Sequence, residues 1–351
     1  MVNEYKLNSN LFYKPVIILA APRSGSTFLF EMLSKSQDFY TIGGESHEII
    51  EGLPKFNLGS GILDSNQITA DDLDEQSLIQ LRNRFYSKIR DNNNRLLSDL
   101  TEKPSKFRFL EKTPKNSLRT SMLNKLFPDA LFIYLYRDPK ENISSIIDAW
   151  ESGRFITYPR LPGRKKPWSL LLPKGWQDYS NSTTGQSACF QWRSANESII
   201  NALKDINKER WTAISYSQLR DNTQDTIESL CQFCKVTTKG IDIEADKTQL
   251  SVHTLTQPKK NKWYKNADLL SKILPDLSPL IEKIKSFLPS LVIADFELTI
   301  HQSLIDKANL QRTNPTQENQ NSNSSNKLIG RNDPCHCQSG QRFKHCHGRL
   351  N

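Results

Sequence analysis

Two segments of the chain place a short apolar run directly before a small polar turn and then a helix-like pattern. The apolar runs 16–21 and 131–136 predict buried strands, and the residues that follow their turns repeat apolar positions at helical spacing. A shorter run with apolar residues, 107–110, also predicts a strand. This succession of strand, loop and helix permits an α/β fold in which a parallel sheet is flanked by helices.

The turn after the first run has the composition of an anion-binding loop. A strand that ends in such a turn aims backbone N–H groups and the positive end of the next helix at one point. Gly25 lets the backbone come close, Ser24, Ser26 and Thr27 add hydroxyl groups, and Arg23 adds a planar cation suited to phosphate. The P-loop of nucleotide triphosphatases needs a second glycine and a lysine here, so that class is excluded.

Pro22–Leu29 instead resembles the 5′-phosphosulfate-binding loop of the sulfotransferases, which hold the donor 3′-phosphoadenosine 5′-phosphosulfate (PAPS). The resemblance implies donor contacts from Arg23 through Phe28. It extends to the second turn, because Arg137 and, eight positions later, Ser145 stand at the spacing of the family's 3′-phosphate motif. The family fold is P-loop-like, with the donor at the carboxyl ends of the strands.

A third segment, Glu111-Lys112-Thr113-Pro114, resembles the part of several sulfotransferases that lies near the transferred sulfonate. Lys112 is predicted to stabilise charge that develops on the leaving phosphate oxygen. Together with Arg23 it belongs to the predicted catalytic set.

The acceptor loses a proton as it attacks, so a general base is expected nearby. Relatives place a glutamate some twenty residues after the first loop's arginine, which makes Glu45 the first choice, with His47 and Glu48 as alternatives. Tyr216 matches the family tyrosine that lies near the adenine. Four later lysines are further candidates for the 3′-phosphate, without a single one being preferred: Lys259, Lys260, Lys262 and Lys265.

Residues 150–176 form an insert rich in proline, glycine and aromatic residues, which cannot be a regular helix. Long loops of this kind often bind ligands, so acceptor recognition is expected here. The identity of the acceptor is not readable, and a hydroxyl or an amine on a sugar, lipid, phenol or protein stays open.

Charge and hydropathy narrow the function further. The chain has 351 residues, a formal net charge of +9 and a pI of about 9.1, which suits a phosphate- and sulfate-bearing ligand but equally nucleic acid. No apolar run approaches the roughly twenty residues that a membrane span needs. We therefore expect a cytoplasmic protein without a membrane span.

The last part of the chain predicts a separate metal module. Residues 311–326 are almost devoid of apolar side chains and read as a flexible tether. Residues 329–348 resemble the SEC-C motif, named for the C-terminus of the SecA translocation motor. A structural Zn²⁺ is predicted, and its first-choice ligands are Cys335, Cys337, Cys346 and His347. In a looser site, His336 or His345 could replace one of them.

These observations predict three parts: a sulfotransferase domain at 1–305, a polar linker at 306–326 and a zinc module at 327–351. The predicted activity is transfer of a sulfonate group from PAPS to the acceptor, which leaves 3′-phosphoadenosine 5′-phosphate (PAP). The module is expected to contact a protein or ribosome partner. The alternative is an inactive sulfotransferase-like protein whose basic surface and zinc module bind nucleic acid or such a partner.

Overall fold

A computed structural model describes residues 11–58, 61, 63–242 and 261–289. The chain divides into two units, Met1–Ile305 and Asp306–Asn351, and every described residue belongs to the first. The predicted zinc ligands lie outside the described residues. Within these ranges, no helix combines the length and the apolar character that crossing a membrane requires.

A parallel sheet of five strands forms the centre of the first unit, which confirms the predicted sheet. Its strands run in the spatial order β2–β3–β1–β4–β7, and all neighbours are parallel. Their bounds are β1 Val16–Leu19, β2 Phe39–Tyr40, β3 Arg108–Lys112, β4 Leu131–Tyr136 and β7 Trp211–Ser215. All residues of β1 and β4 are buried, as expected for central strands that are covered on both faces.

Helices cover both faces of this sheet. Their bounds are α1 Ser26–Leu33, α2 His47–Glu51, α3 Glu75–Tyr86, α4 Thr120–Leu126, α5 Pro139–Glu151, α6 Thr184–Leu203, α7 Tyr216–Asp221, α8 Thr223–Cys234, α9 Ala267–Ile273 and α10 Ser278–Phe287. One face packs Val16 and Ile18 of β1 into a core shared with α1 and α8. On the other face, the hydroxyl of Tyr134 donates to Asn196 of α6 at 2.6 Å.

The predicted insert contains a little regular structure that its sequence did not indicate. Ile156–Tyr158 (β5) and Trp168–Ser169 (β6) pair in antiparallel fashion. The hairpin is held by aromatic packing, since the Trp168 ring lies 5.1 Å from that of Trp150 and 6.1 Å from that of Trp176. The segment is therefore an anchored hairpin, joined to the core by buried rings.

The connections that follow β1 and β4 lead to opposite sides of the sheet. The connection after β1 leads to β2 on one side, whereas the connection after β4 leads to β7 on the other. Ligands of open α/β sheets bind at the carboxyl ends of strands where connections diverge in this way. The two phosphate-type turns of the sequence follow these two strands.

Candidate functional site

A cavity of about 600 Å³ opens at this edge of the sheet. The loops after β1 and β4 line one side, and the hairpin residues Phe155–Tyr158 with Leu170 and Leu171 line the other. Further lining residues come from the ends of other elements: Glu45, His47, Glu51, Pro114, Lys115, Tyr216 and Lys262. The volume lies within the range of small-molecule sites, roughly 300–1,000 Å³.

The loop after β1 needs unusual backbone geometry. Gly25 has a φ of +92°, and a side chain there would bring a Cβ to 2.8 Å from the Tyr216 ring, so only glycine fits. Arg23 adopts a φ of +65°, which is rare for a residue with a side chain and which often marks a functional site. The loop thus leads directly into α1, whose first N–H groups have no partner within the helix.

A buried asparagine joins the loop after β1 to helix α5. The Asn142 side chain on α5 donates to the Pro22 carbonyl at 2.8 Å and accepts from the Ser24 hydroxyl at 2.8 Å. Asn142 and Ser24 are both completely buried. The Ser24 hydroxyl is therefore engaged within the protein, and Ser24 is not among the cavity-lining residues.

Arg137 follows β4 and binds the first loop directly. Its Nη1 donates to the Arg23 carbonyl at 2.8 Å, and its guanidinium lies 4.1 Å from the centre of the Tyr216 ring. Glu141 lies 3.3 Å from Arg137 Nε and 3.7 Å from Arg220 Nη1. Arg137 and Glu141 thus border the cavity beside Tyr216, whereas Arg220 lies outside the lining.

The helix after Arg137 adds two serines. Ser144 and Ser145 both line the cavity, and the buried Ser144 hydroxyl accepts from the Asn266 amide at 2.9 Å. Ser145 is half-buried. The helix begins well defined because Asp138 caps it and Pro139 occupies its first position.

Lys112 at the end of β3 links the beginning of α1 to the turn that carries Glu45. Its Nζ lies 2.7 Å from Glu45 Oε1 and 3.1 Å from the Thr27 hydroxyl. Glu45 is also 3.8 Å from His47 Nδ1. A lysine and a carboxylate thus stand beside the phosphosulfate-type loop, although Lys112 itself is not a lining residue.

A buried carboxylate supports the turn that carries Glu45. Glu111 accepts from the Ser46 hydroxyl at 2.5 Å and from the Asn116 amide at 2.8 Å. The Ser46 N–H also donates to the Thr113 hydroxyl at 2.7 Å. Burial raises the pKa of Glu111 despite these hydrogen bonds. The turn before α2 is therefore fixed to the strand end that carries Lys112.

Positive charge concentrates on the donor-type side. Burial and the neighbouring Arg137 lower the pKa of Arg23, with Arg154 acting in the same sense and Asp148 opposing it. The Arg23 guanidinium lies 4.7 Å from the Phe155 ring centre. Asp148 also pairs with Lys265 at 2.6 Å. A bound anion would relieve the repulsion between the two arginines.

Most of the predicted site residues lie around one cavity. The predicted residues that line the cavity are Arg23, Gly25, Ser26, Thr27, Glu45, His47, Arg137, Ser145, Tyr216 and Lys262. Phe28 packs against the apolar core, and Glu48 is exposed outside the lining. Lys259 and Lys260 lie outside the described residues. Across the described ranges, no group of three His, Cys, Asp or Glu side chains is arranged to hold a metal ion.

Several residues at the site have no recognisable signal in the sequence. Asn142, Glu141 and Asp148 lie on the helix predicted after the second turn, but nothing in their spacing marks them as site residues. Glu51 and Lys115 pair at 2.8 Å within the cavity wall although they are far apart in sequence. The proximity of Lys115 to the predicted Lys112 motif was the only available signal.

Comparison with known proteins identifies the class. The profile of the sulfotransferase family matches residues 15–240, more than half of the chain, so this protein belongs to the sulfotransferase family. A second profile, that of the SEC-C motif, matches residues 331–349. The chain therefore combines a sulfotransferase with a C-terminal SEC-C motif.

Individual similarities are more distant. The sulfotransferase from Alicyclobacillus acidocaldarius is 13% identical, with 77% of this chain and 96% of that one covered and a TM-score of 0.45. The sulfotransferase domain from the curacin biosynthetic pathway is 18% identical, with 73% and 97% covered and a TM-score of 0.36. The protein translocase subunit SecA of Burkholderia mallei (strain NCTC 10229) is 70% identical over 23 residues, which are 7% of this chain. The chain spans about 2% of the length of such curated relatives.

Proposed function

We propose that the protein transfers a sulfonate group from PAPS to a hydroxyl or amine acceptor. One observation carries the proposal: the loops after the neighbouring strands β1 and β4 are joined by the hydrogen bond from Arg137 to the Arg23 carbonyl, and both line one cavity. PAPS bears a phosphosulfate at the 5′ position of its ribose and a phosphate at the 3′ position, so two adjacent anion-binding loops match its chemistry. The family assignment supports the same donor class.

Each part of the donor would contact its own set of residues. Arg23, Gly25, Ser26, Thr27 and the N-terminal backbone of α1 would bind the 5′-phosphosulfate. The 3′-phosphate would lie with Arg137 and Ser145, and the adenine would stack near Tyr216. Phe28 would contribute only its main chain, because its side chain packs against the core. Ser24 would act indirectly, through Asn142.

The transfer step needs a base and a stabilised leaving group. The acceptor oxygen, or nitrogen, attacks sulfur as the bond from sulfur to the 5′-phosphate oxygen breaks, and PAP leaves. Glu45 would take the acceptor's proton. Lys112, within 2.7 Å of Glu45 and 3.1 Å of the Thr27 hydroxyl, would stabilise negative charge on the leaving oxygen.

Calorimetry with PAP, followed by incubation with ³⁵S-labelled PAPS and a metabolite extract, tests the proposal. We expect saturable PAP binding that is much tighter than binding of adenosine 5′-phosphate, and transfer of label to an acceptor. Failure to bind PAP would refute the donor assignment. PAP binding without any transfer would favour the inactive, sulfotransferase-like alternative.

We propose separately that residues 327–351 form a module around one structural zinc ion, with 1–305 as the transferase domain and 306–326 as the linker. Three thiolates and one imidazole, from Cys335, Cys337, Cys346 and His347, form a donor set that favours tetrahedral Zn²⁺. Four protein ligands leave no open position, so this zinc would have no catalytic role. The module would serve as an adaptor for a protein or ribosome partner.

Elemental analysis of the full chain and of a variant without residues 311–351 tests the module. We expect one equivalent of zinc in the full chain and none in the truncated one. PAP binding should be equal in both, because the proposed donor contacts lie before residue 270. A zinc-free full chain would refute the metal assignment.

A further inference from the structure

Outside the loops after β1 and β4, the wall of the cavity contains a charge cluster. Lys115 Nζ contacts both carboxylate oxygens of Glu51 at 2.8 Å. Arg119 Nη2 contacts the same carboxylate at 2.5 Å, and its Nε donates to the Asn66 carbonyl at 3.0 Å. Glu51 and Lys115 line the cavity, whereas Arg119 is 1% exposed behind them.

The cluster has one more cation than anion. Glu51 is the single carboxylate between Lys115 and Arg119, and their attraction lowers its pKa although burial opposes this. The nearby Glu45 is already paired with Lys112. Burial raises the pKa of the nearby Glu111, which favours its neutral form. The local sum is therefore one positive charge.

Donor capacity also remains in the cluster. An ammonium group has three N–H bonds, and the hydrogen bonds of Lys115 in the described structure go to the one carboxylate of Glu51. Arg119 Nη1 is buried and has no hydrogen-bond partner among the described residues. Buried charge is costly when its countercharge is incomplete. An anion from the ligand would complete the set.

The segment that contains the hairpin has the same sign of charge. Residues 152–175, which include the hairpin, contain six basic residues and no acidic one. One of the six, Arg164, is held between Trp150 and Trp168. The others are exposed: Arg154, Arg160, Lys165, Lys166 and Lys174. An acceptor that approaches past this hairpin meets an uncompensated basic surface, which attracts anions.

We propose that the acceptor carries, besides the group that is sulfated, an anionic carboxylate or phosphate group, and that Lys115 binds this group between Glu51 and Tyr158. The proposal rests on the proposed function and specifies its substrate class. The Tyr158 ring, whose centre lies 5.5 Å from Lys115 Nζ, also lines the cavity. Neutral acceptors would leave the excess charge uncompensated.

A binding experiment tests the anion subsite without turnover. The probe is inorganic phosphate, titrated by calorimetry into protein that is saturated with PAP, so that the donor loops are occupied. We expect weak, saturable uptake of one phosphate that Lys115→Met abolishes and Lys115→Arg retains. The exposed Lys88 provides the matched control, because Lys88→Met removes the same charge outside the cavity.

Glu51→Gln provides a second variant with the opposite effect. Loss of its negative charge raises the local sum to two positive charges, so phosphate should bind about tenfold more tightly, by about 1.4 kcal/mol. A purely structural role for the cluster predicts no such gain. Absence of saturable phosphate uptake, or uptake unaffected by Lys115→Met, would overturn the subsite. Failure of PAP to bind would instead refute the proposed function.

A product experiment tests the acceptor class. Electrophoresis at neutral pH of the ³⁵S-labelled products should show at least two negative charges, one from the new sulfate and one from the acceptor. A product with a single negative charge would overturn the proposal. Prior treatment of the extract with phosphatase should remove the acceptor if it is a phosphate ester, and carbodiimide coupling with methylamine should remove it if it is a carboxylic acid.

Discussion

The proposed donor half of the cavity is lined by the loops after β1 and β4, and the proposed acceptor half by the hairpin with Glu51 and Lys115. A buried asparagine adjoins each half, but the two asparagines hold different kinds of structure. In the donor half, Asn142 lies on the regular helix α5 and bonds the loop that follows a neighbouring strand. In the acceptor half, Asn66 lies in an irregular segment and donates to the Tyr158 hydroxyl at 2.6 Å. Both residues are at most 1% exposed.

Asn66 binds more of the chain than Asn142 does. Its main-chain N–H donates to the Leu172 carbonyl at 2.7 Å, and its side-chain oxygen accepts from the Leu172 N–H at 2.7 Å. Its own carbonyl accepts from Arg119 Nε at 3.0 Å. One side chain and its backbone thus tie together both ends of the hairpin and the charge cluster.

Under the proposed function, the sheet fixes the donor half, whereas the acceptor half rests on less regular structure. The donor loops sit at the ends of β1 and β4, where the sheet fixes their spacing, and any change would disturb the core. The acceptor wall hangs on a hairpin and on short helices, which tolerate substitution more readily. Variants in the two halves should therefore separate turnover from donor affinity.

The largest expected effect is on turnover and comes from Glu45→Gln. The substitution keeps the size of the side chain but removes the proton acceptor, so turnover should fall by roughly 10²–10⁴. Steady-state transfer of ³⁵S measures this, and calorimetry should show PAP affinity nearly unchanged. Glu48→Gln is the matched control, because Glu48 is exposed outside the cavity.

Two outcomes would contradict the separation of the halves. Normal turnover in Glu45→Gln, with a loss in His47→Asn, would transfer the role of the base to His47. A large loss of PAP affinity in Glu45→Gln would show that the Glu45–Lys112 pair belongs to donor binding.

A smaller effect, confined to the donor half, is expected from Arg137→Ala. Loss of a charge-assisted hydrogen bond costs about 1.5–3 kcal/mol, so PAP should bind roughly 10–150-fold more weakly. Adenosine 5′-phosphate, which lacks the 3′-phosphate, should lose much less. Equal losses for both ligands in calorimetry would show that Arg137 acts on the loop through the Arg23 carbonyl and not on the 3′-phosphate.

The sequence predicted the donor half far better than the acceptor half. Apolar runs followed by small polar turns identify β1, β4 and their loops, because local composition determines both the strand and its end. The direction of the Ser24 hydroxyl depends on Asn142, 118 residues away, and no local pattern encodes that contact. The Phe28 side chain likewise packs against the core, although the resemblance implied that Phe28 contacts the donor.

The acceptor half depends almost wholly on long-range contacts. Glu51 and Lys115 are 64 residues apart, and the hairpin has too few residues in strands to show an alternating pattern. Its aromatic residues were visible in the sequence, but their mutual packing was not. The prediction that residues 150–176 lie at the site rested on loop composition, and six residues of this segment, within 155–158 and 170–171, line the cavity.

Paired substitutions of the two asparagines sharpen the comparison. Asn142→Leu and Asn66→Leu each leave buried polar partners unsatisfied, which costs about 1–3 kcal/mol of unfolding free energy per group. Urea denaturation should show both losses. Only Asn142→Leu should also weaken PAP binding, because only Asn142 holds the donor loop. Equal loss of PAP affinity in both variants would mean that the halves are mechanically coupled.

The two halves should also respond to pH in opposite directions. In the donor half, burial raises the pKa of Asp138, the residue that caps α5, to about 6, against 3.8 for an ordinary aspartate. The native state therefore holds this proton more firmly, and its contribution to stability is present below pH 3.8 and lost as the pH rises through 6. In the acceptor half, Arg119 and Lys115 outweigh burial and lower the pKa of Glu51. Its contribution is present above pH 4.5 and lost as the pH falls through its folded pKa.

Urea denaturation between pH 3.5 and 7 in Asp138→Asn and Glu51→Gln separates these contributions. Since one pKa unit corresponds to about 1.4 kcal/mol, Asp138 accounts for about 3 kcal/mol of stability lost between pH 3.8 and 6. Asp138→Asn should remove that decline and still cap the helix, because asparagine is an equally good cap. Glu51→Gln should instead flatten the loss of stability below pH 4.5. A decline that persists undiminished in Asp138→Asn would contradict the contribution of Asp138 and would assign the decline to another buried carboxyl with a raised pKa, such as Glu111.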